Sequence, residues 1–414
     1  MPHVLGRREL LASSLGAAGL LLSGSFSNLL RAGPSKADED IPDKSKDAPS
    51  LPVAIQRCTS YEPAVVRGAI DKTLDLIGGI KKLVENKTVT IKINFTGGPG
   101  TLCGLPAYRT YHIHPNVLAA VCGAISDAGA KRIVVVESHY PAKESEEILT
   151  SAGWDVKTIR SAGAGRVTFE DTRARGRWPT YSKLTVPWGG FIFPAFYVNQ
   201  RYEKTDVMVS LAKLKDHAAA GVTMSVKNMF GMAPTSLYGH DAPNENTVSY
   251  RGPVLHNGSR SVPAGVPGEL DHRVPAHWKY RVPRITADLY GARPADLAII
   301  DGIECNRGGE GPWNPGVEPV KPGLLLAGRN GVCTDAICAA VMDYDPQAPH
   351  WQFPFPGDNY LLLLAQVGLG AIDPKRIEVC GLPIKQALYP FNPKRVPISD
   401  PTACWPYGHC GALV

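Results

Sequence analysis

The sequence predicts an α/β protein with a largely parallel sheet, or sheets, covered by helices on both faces and long loop insertions near the strand ends. Two observations predict it. Short apolar, β-branched runs alternate with amphipathic stretches of helical period. The 42 Gly and 36 Pro fall between those patterned segments, as long ordered loops require, and form no low-complexity tract.

Val53 to Arg57 reads as the first strand, and Glu62 and Pro63 open an amphipathic helix through Val66, Ile70, Leu74, Ile77 and Ile80. Residues 88–95 alternate and are β-branched, a second strand. Pro115 suits the first turn of a helix through Leu118, Val121, Cys122 and Ile125, and Gly129 stands where it stops. Ile133 to Val136 is a buried strand, residues 142–152 a helix closed by Gly153, and residues 155–159 the next strand. After the aromatic-rich run 188–198, strands resume at 206–211, 297–301, 324–327 and 377–379, with helices over 333–342 and 359–367. Residues 234–283 show little periodicity. An insertion of that length is expected to cover or border a site at the strand ends.

Arg7 and Arg8, the apolar stretch to about Gly24 and the small residues Ser23, Gly24, Ser25 and Ser27 resemble a twin-arginine export signal over residues 1–27. This implies folding before export, the twin-arginine translocation machinery as a partner, and a periplasmic or extracellular mature protein. The apolar stretch is shorter than the ~20 residues of a membrane-spanning helix, so no stable span is expected after cleavage. Residues 28–50 carry many charges among prolines and bury too little apolar surface to order themselves, which reads as a disordered linker. Residues 51–382 form the α/β domain, divisible into lobes at about 51–165 and 200–382, and residues 383–414 form a tail.

A formal charge of +6, with no run of Lys or Arg, excludes nucleic acid as an expected partner. Nine cysteines leave at least one unpaired, and the absence of any C-x-x-C argues against a ferredoxin-type iron–sulfur cluster or a zinc ribbon. Cys404 and Cys410 close a short loop in the tail, where a disulfide is expected.

The densest polar constellation is Lys213, Lys215 and His217, followed by Lys227 and Asn228, just beyond the strand at 206–211. Lysines supply compact positive charge, a histidine moves protons near neutral pH, and an asparagine orients a carboxylate or phosphate. The expected ligand is a small anion, bound by Lys213, Lys215 and Asn228, with His217, Lys227 and Asp301 as candidate catalytic groups. Asp301 ends an apolar strand, where carboxylates of α/β enzymes are often found. His112 and His114, two apart, are the candidate ligands for a divalent metal, with Glu137 and His139 near enough in sequence logic to join them. The Gly-rich turn at Gly97, Gly98 and Gly100 lacks the dinucleotide pattern. Asp335 reads as a helix-terminus carboxylate, and Trp313 as a packing residue of a Pro-rich loop.

K-L-K-D-H at 213–217 with S-V-K-N-M-F-G at 225–231 resembles the signature of the family called domain of unknown function 362. Val89 to Asn94, His114 and Pro115 with their helix, residues 295–303, the Glu310–Gly311–Pro312 loop and Asp335 resemble its other segments in order, over about residues 51–382. The ferredoxin-type cysteines that many of its members carry have no counterpart here. The resemblance implies the fold and the place of the site and leaves the reaction class unassigned. The leading expectation is an exported α/β enzyme acting on a small anionic substrate, with metal assistance from the His112 and His114 pair. The alternatives are a non-catalytic exported binding protein and a redox protein whose cofactor is loaded before export; no cofactor is identified by sequence.

Overall fold

Alternating apolar residues commit each central strand to two cores at once. In the computed structural model, Ile133 and Val135 enter the core on one side of the sheet, while Val134 and Val136 enter the other. The structure describes residues 41–140, 143–173, 180–244, 250–270, 278–350 and 352–393. The twin-arginine segment, linker residues 28–40 and the Cys404 and Cys410 pair lie outside the described residues.

Ten strands form the main sheet: β1 (Val53–Arg57), β2 (Thr88–Ile93), β3 (Arg132–Glu137), β4 (Val167–Asp171), β5 (Val207–His217), β6 (Gly221–Val222), β7 (Leu297–Arg307), β8 (Glu318–Val320), β9 (Leu324–Gly328) and β10 (Val379–Gly381). The order is β10-β1-β9-β7-β5-β2-β3-β4, with β6 beside β5 and β8 beside β7. Strands β7, β5, β2, β3 and β4 run parallel, and β9 alone is antiparallel to both of its neighbours in that order. Helices α1 (Pro63–Leu76), α2 (Pro115–Asp127), α3 (Ser145–Ser151) and α4 (Val156–Ala162) belong to the first half of the chain. Helices α5 (Met224–Asn228), α6 (Trp278–Ala292), α7 (Gly331–Val341) and α8 (Tyr360–Gln366) belong to the second. The buried side chains of α1 and α2 join one core and those of α6, α7 and α8 the other, so both faces of the sheet are covered. This is the α/β architecture expected from the alternation.

Four expectations need correction. Residues 155–159 are helical: Asp155 accepts the N–H groups of Lys157 and Thr158 and caps α4, and the strand follows at β4. A short apolar run carries no period long enough to tell helix from strand. The two lobes share one sheet, because β2 from the first pairs with β5 from the second and β1 lies between β9 and β10. Residues 41–50 do not form a free linker. Arg376 donates to the carbonyls of Ser45, Lys46 and Ala48, and Ala371 N–H reaches Pro49 O, so distant backbone partners order a segment that cannot order itself. Finally, β5 continues through His217 where a loop was expected after Leu211.

Candidate active site

The extension of β5 decides what its basic residues do. At a period of two, Lys213, Lys215 and His217 face one side of the strand at successive depths, while Leu214 turns into the opposite core. Lys213 is the deepest, and its Nζ meets Asp301 Oδ2 at 2.9 Å with neither side chain exposed. Asp301 also accepts Tyr61 OH at 3.0 Å and the backbone N–H of His114 at 2.9 Å. The pair is fully bonded and lies outside the cavity beside it. It therefore ties β5 to β7, and neither Lys213 as a substrate ligand nor Asp301 as a catalyst touches the cavity that the other predicted residues line.

That cavity, of about 360 Å³, opens at the carboxyl ends of β2, β3 and β5, the end at which ligands of parallel sheets bind. Lys215, His217, Lys227 and Asn228 all line it. Lys215 Nζ donates to Tyr111 O at 2.8 Å and Glu310 O at 2.9 Å, which leaves one of its three protons uncommitted. Burial, reinforced by Lys213 and Lys227 and opposed by Glu310, pulls Lys215 down to about 7. Lys227 falls to about 7 through burial, with Arg251 and Lys92 adding to it and Glu310 opposing. Its Nζ sits 4.0 Å from the centre of the Phe230 ring, and no ion pair engages it among the described residues.

His217 Nδ1 accepts the N–H groups of Ala219 at 3.1 Å and Ala220 at 3.3 Å, so a neutral ring carries its proton on Nε2. Burial holds the ring neutral, down to about 3. Glu310 Oε2 lies 3.8 Å from that Nδ1 and accepts Ala218 N–H at 2.8 Å, while Oε1 accepts Trp313 Nε1–H at 2.9 Å. Burial would raise Glu310, but the N–H donors of Ala218 and Trp313 oppose it, and the carboxylate is held below its usual range.

Three further groups complete the cavity. Lys92 and Glu137 form a buried ion pair at 2.6 Å. Arg251 donates Nε–H to Ala233 O at 2.6 Å, but its buried Nη2 has no partner among the described residues. His256 is held neutral by burial, down to about 3, with Lys227 nearby adding to the effect. Tyr250, Arg251, Gly252 and His256 come from the long insertion, which therefore borders the site as expected. Asn228 Nδ2 donates to Lys92 O and Ser210 Oγ, leaving Oδ1 buried without a partner.

His112 and His114 are not brought together as a metal pair. The His112 ring stacks on Phe95 and donates from Nε2 to Thr96 O at 2.6 Å. The His114 ring stacks on Tyr61 at 3.7 Å, and its Nδ1 accepts Asn116 N–H to start α2. Glu137 is taken by Lys92, and among the described residues no three His, Cys, Asp or Glu side chains stand together as a metal would require. The seven described cysteines are all free thiols.

The profile of the family described as Domain of unknown function (DUF362) matches residues 89–340. The chain belongs to this family. A thylakoid-associated protein of Synechocystis sp. is 24% identical over 299 residues, covering 71% of this chain and 75% of that one. A crystal structure of a Thermotoga maritima protein aligns with a TM-score of 0.34 at 10% identity, over 68% of this chain and 59% of the other. All of the residues that line the cavity fall within the DUF362 match, on β2, β3, β5 and α5, the segments that follow them, the insertion and the Glu310 loop.

Lys92, Arg251 and His256 escaped the sequence reading. Lys92 was discoverable, because a lysine inside the run Thr88–Ile93 must be buried, and buried lysines are rare without a partner. Arg251 and His256 sit in a stretch without periodicity and reach the cavity only through tertiary folding. Trp313, for which a Pro-rich loop allows either ordinary packing or an aromatic ligand wall, lines the cavity and remains 39% exposed, which places it at the rim.

Proposed function

We propose that the DUF362 cavity binds a small anionic substrate, a carboxylate or phosphate, and that the chain is an enzyme acting on it. One observation carries the reading. With Lys92 and Glu137 mutually paired, the buried cations Lys215, Lys227 and Arg251 face, among the described residues lining the cavity, a single remaining carboxylate, Glu310. Burying like charges without counterions is costly, and an anion in the cavity repays that cost. Arg251 Nη2 and the third proton of Lys215 are the donors to receive it. Lys227 and His217 then stand as the groups for proton transfer.

A non-catalytic binding protein would need the same cations but no tuned acid or base. The burial of His217 and Lys227 beside Glu310 favours the enzyme. Titration of inorganic phosphate, followed by calorimetry and by Trp313 fluorescence, tests the site. Saturable binding lost on Lys215→Ala supports it, and binding indifferent to that change contradicts it.

We further propose that the protein works outside the cytoplasm, exported through the twin-arginine route on Arg7 and Arg8. The name of the Synechocystis relative assigns that protein to a membrane system, and no helix among the described residues is long and apolar enough to cross a membrane. Replacing both arginines by Lys should retain the precursor in the cytoplasm in a fractionation experiment. Unchanged export would refute the route.

A further inference from the structure

The anion site proposed above leaves one basic group, Lys227, outside the set whose donors receive the anion, and the inference here rests on that site. Arg251 and Lys215 offer their free donors to an anionic group. Lys227 lines the same cavity on the short helix α5, without an ion pair among the described residues and lying over the Phe230 face. An amine needed only for its charge is usually met by a carboxylate. Lys227 feels Glu310 but forms no ion pair with it among the described residues; its amine lies on an aromatic ring, near two buried neutral imidazoles and further cations.

We propose that Lys227 is a carbonyl-trapping nucleophile: its amine forms an imine with the aldehyde or ketone carbon of a small anionic oxo compound held by Lys215 and Arg251. The nitrogen lone pair adds to the carbonyl carbon while the carbonyl π pair moves onto oxygen. Oxygen takes a proton to give the carbinolamine, and water then leaves as the C=N bond forms. The two hydrogens lost by the amine depart with that oxygen as one water, so nothing is oxidised or reduced and no co-reactant is needed. His217 lines the same cavity as a neutral ring with its proton on Nε2, so it can offer that N–H as a hydrogen bond to the oxygen while both protons of the departing water come from the amine.

Two properties of the cavity favour this step. Lys227 is drawn down to about 7 by burial, so a large share of it is the free amine at neutral pH. An ordinary exposed lysine is neutral in only roughly one molecule in a few thousand at pH 7. Desolvated lysines beside other cations are activated nucleophiles by the same physics. The second property is that the donors placed to touch the anion belong to Lys215 and Arg251, which leaves the deprotonated share of Lys227 free to add to a carbonyl.

The test uses the full chain at pH 7 with two probes, glyoxylate as a carboxylate-bearing aldehyde and glycolaldehyde phosphate as a phosphate-bearing one. Cyanoborohydride reduces any imine to a stable amine, read by intact mass and peptide mapping. The expected result is labelling of Lys227 at least about tenfold above any other lysine, suppressed by inorganic phosphate and lost in a folded Lys227→Arg variant. Preference for one probe identifies the anionic group. Phosphate binding with no adduct at Lys227, or labelling spread over surface lysines and indifferent to phosphate, overturns the imine while leaving the anion site standing. Absence of both phosphate binding and adduct overturns both.

Discussion

Asp335 on α7 accepts the backbone N–H of Ser225 at 2.8 Å, two residues before Lys227. Its second oxygen accepts Val226 N–H at the same distance. A carboxylate from a neighbouring helix thus caps α5, whose own start carries no side-chain cap and whose Met224 has φ of 39°. The sequence correctly marked Asp335 as a helix-terminus group and attached it to the wrong helix. Asp335→Ala should cost about 2–4 kcal/mol in urea unfolding, because two buried N–H groups lose their acceptor. Phosphate affinity of the folded fraction should fall as well, since Lys227 and Asn228 ride on α5. Asp335→Asn, which keeps one acceptor, should be milder on both counts.

The Lys213 and Asp301 pair behaves as structure. Asp301→Ala leaves a buried ammonium uncompensated and should destabilise by about 3–5 kcal/mol. The double variant Lys213→Met with Asp301→Asn should recover much of that loss, and its phosphate affinity should stay near the parent's. A double variant that folds well yet binds no phosphate would restore these residues to the site.

Anion affinity should fall as pH rises above about 7. Binding favours protonated Lys215 and Lys227, both near 7 when the cavity is empty because burial disfavours their charge. Sulfate keeps its charge over this range, so it isolates the protein's protons. Each linked lysine contributes up to about tenfold per pH unit, and calorimetry should show proton uptake on binding. In the free protein the unfolded chain binds more protons between about 7 and 10.5. These lysines therefore add stability as pH rises through that window, and their contribution is lost as pH falls through about 7. A pH-independent sulfate affinity would remove both lysines from the binding event.

Gly97 sits at φ +73°, and a Cβ there would lie 2.5 Å from the Trp313 ring. Gly97→Ala should displace the ring from the cavity rim, red-shift its emission and weaken phosphate binding. An unaltered spectrum would show that Trp313 does not rest on this turn.

The fold was legible because its central strands are buried on both faces and its helices carry their own start signals, such as Pro63 and Pro115. What misled was polarity at strand ends. Lys213, Lys215 and His217 look like a loop, yet β5 carries them as a strand because Asp301, Tyr111 O and Glu310 supply their partners from elsewhere. The same blindness hid Arg251 and His256, whose role depends on a chain reversal that local pattern does not encode. His112 and His114 obeyed their spacing on paper, but Thr96 O and the start of α2 claimed them separately.

The most direct measurement is calorimetric titration of inorganic phosphate into the full chain at pH 7, repeated with Arg251→Gln. The account predicts one saturable site per chain, quenching or shifting of Trp313 emission, and about a tenfold or greater loss of affinity when the guanidinium that carries the unengaged Nη2 is removed. No binding heat in the parent protein, or equal affinity in the two, would contradict an anion held in this cavity.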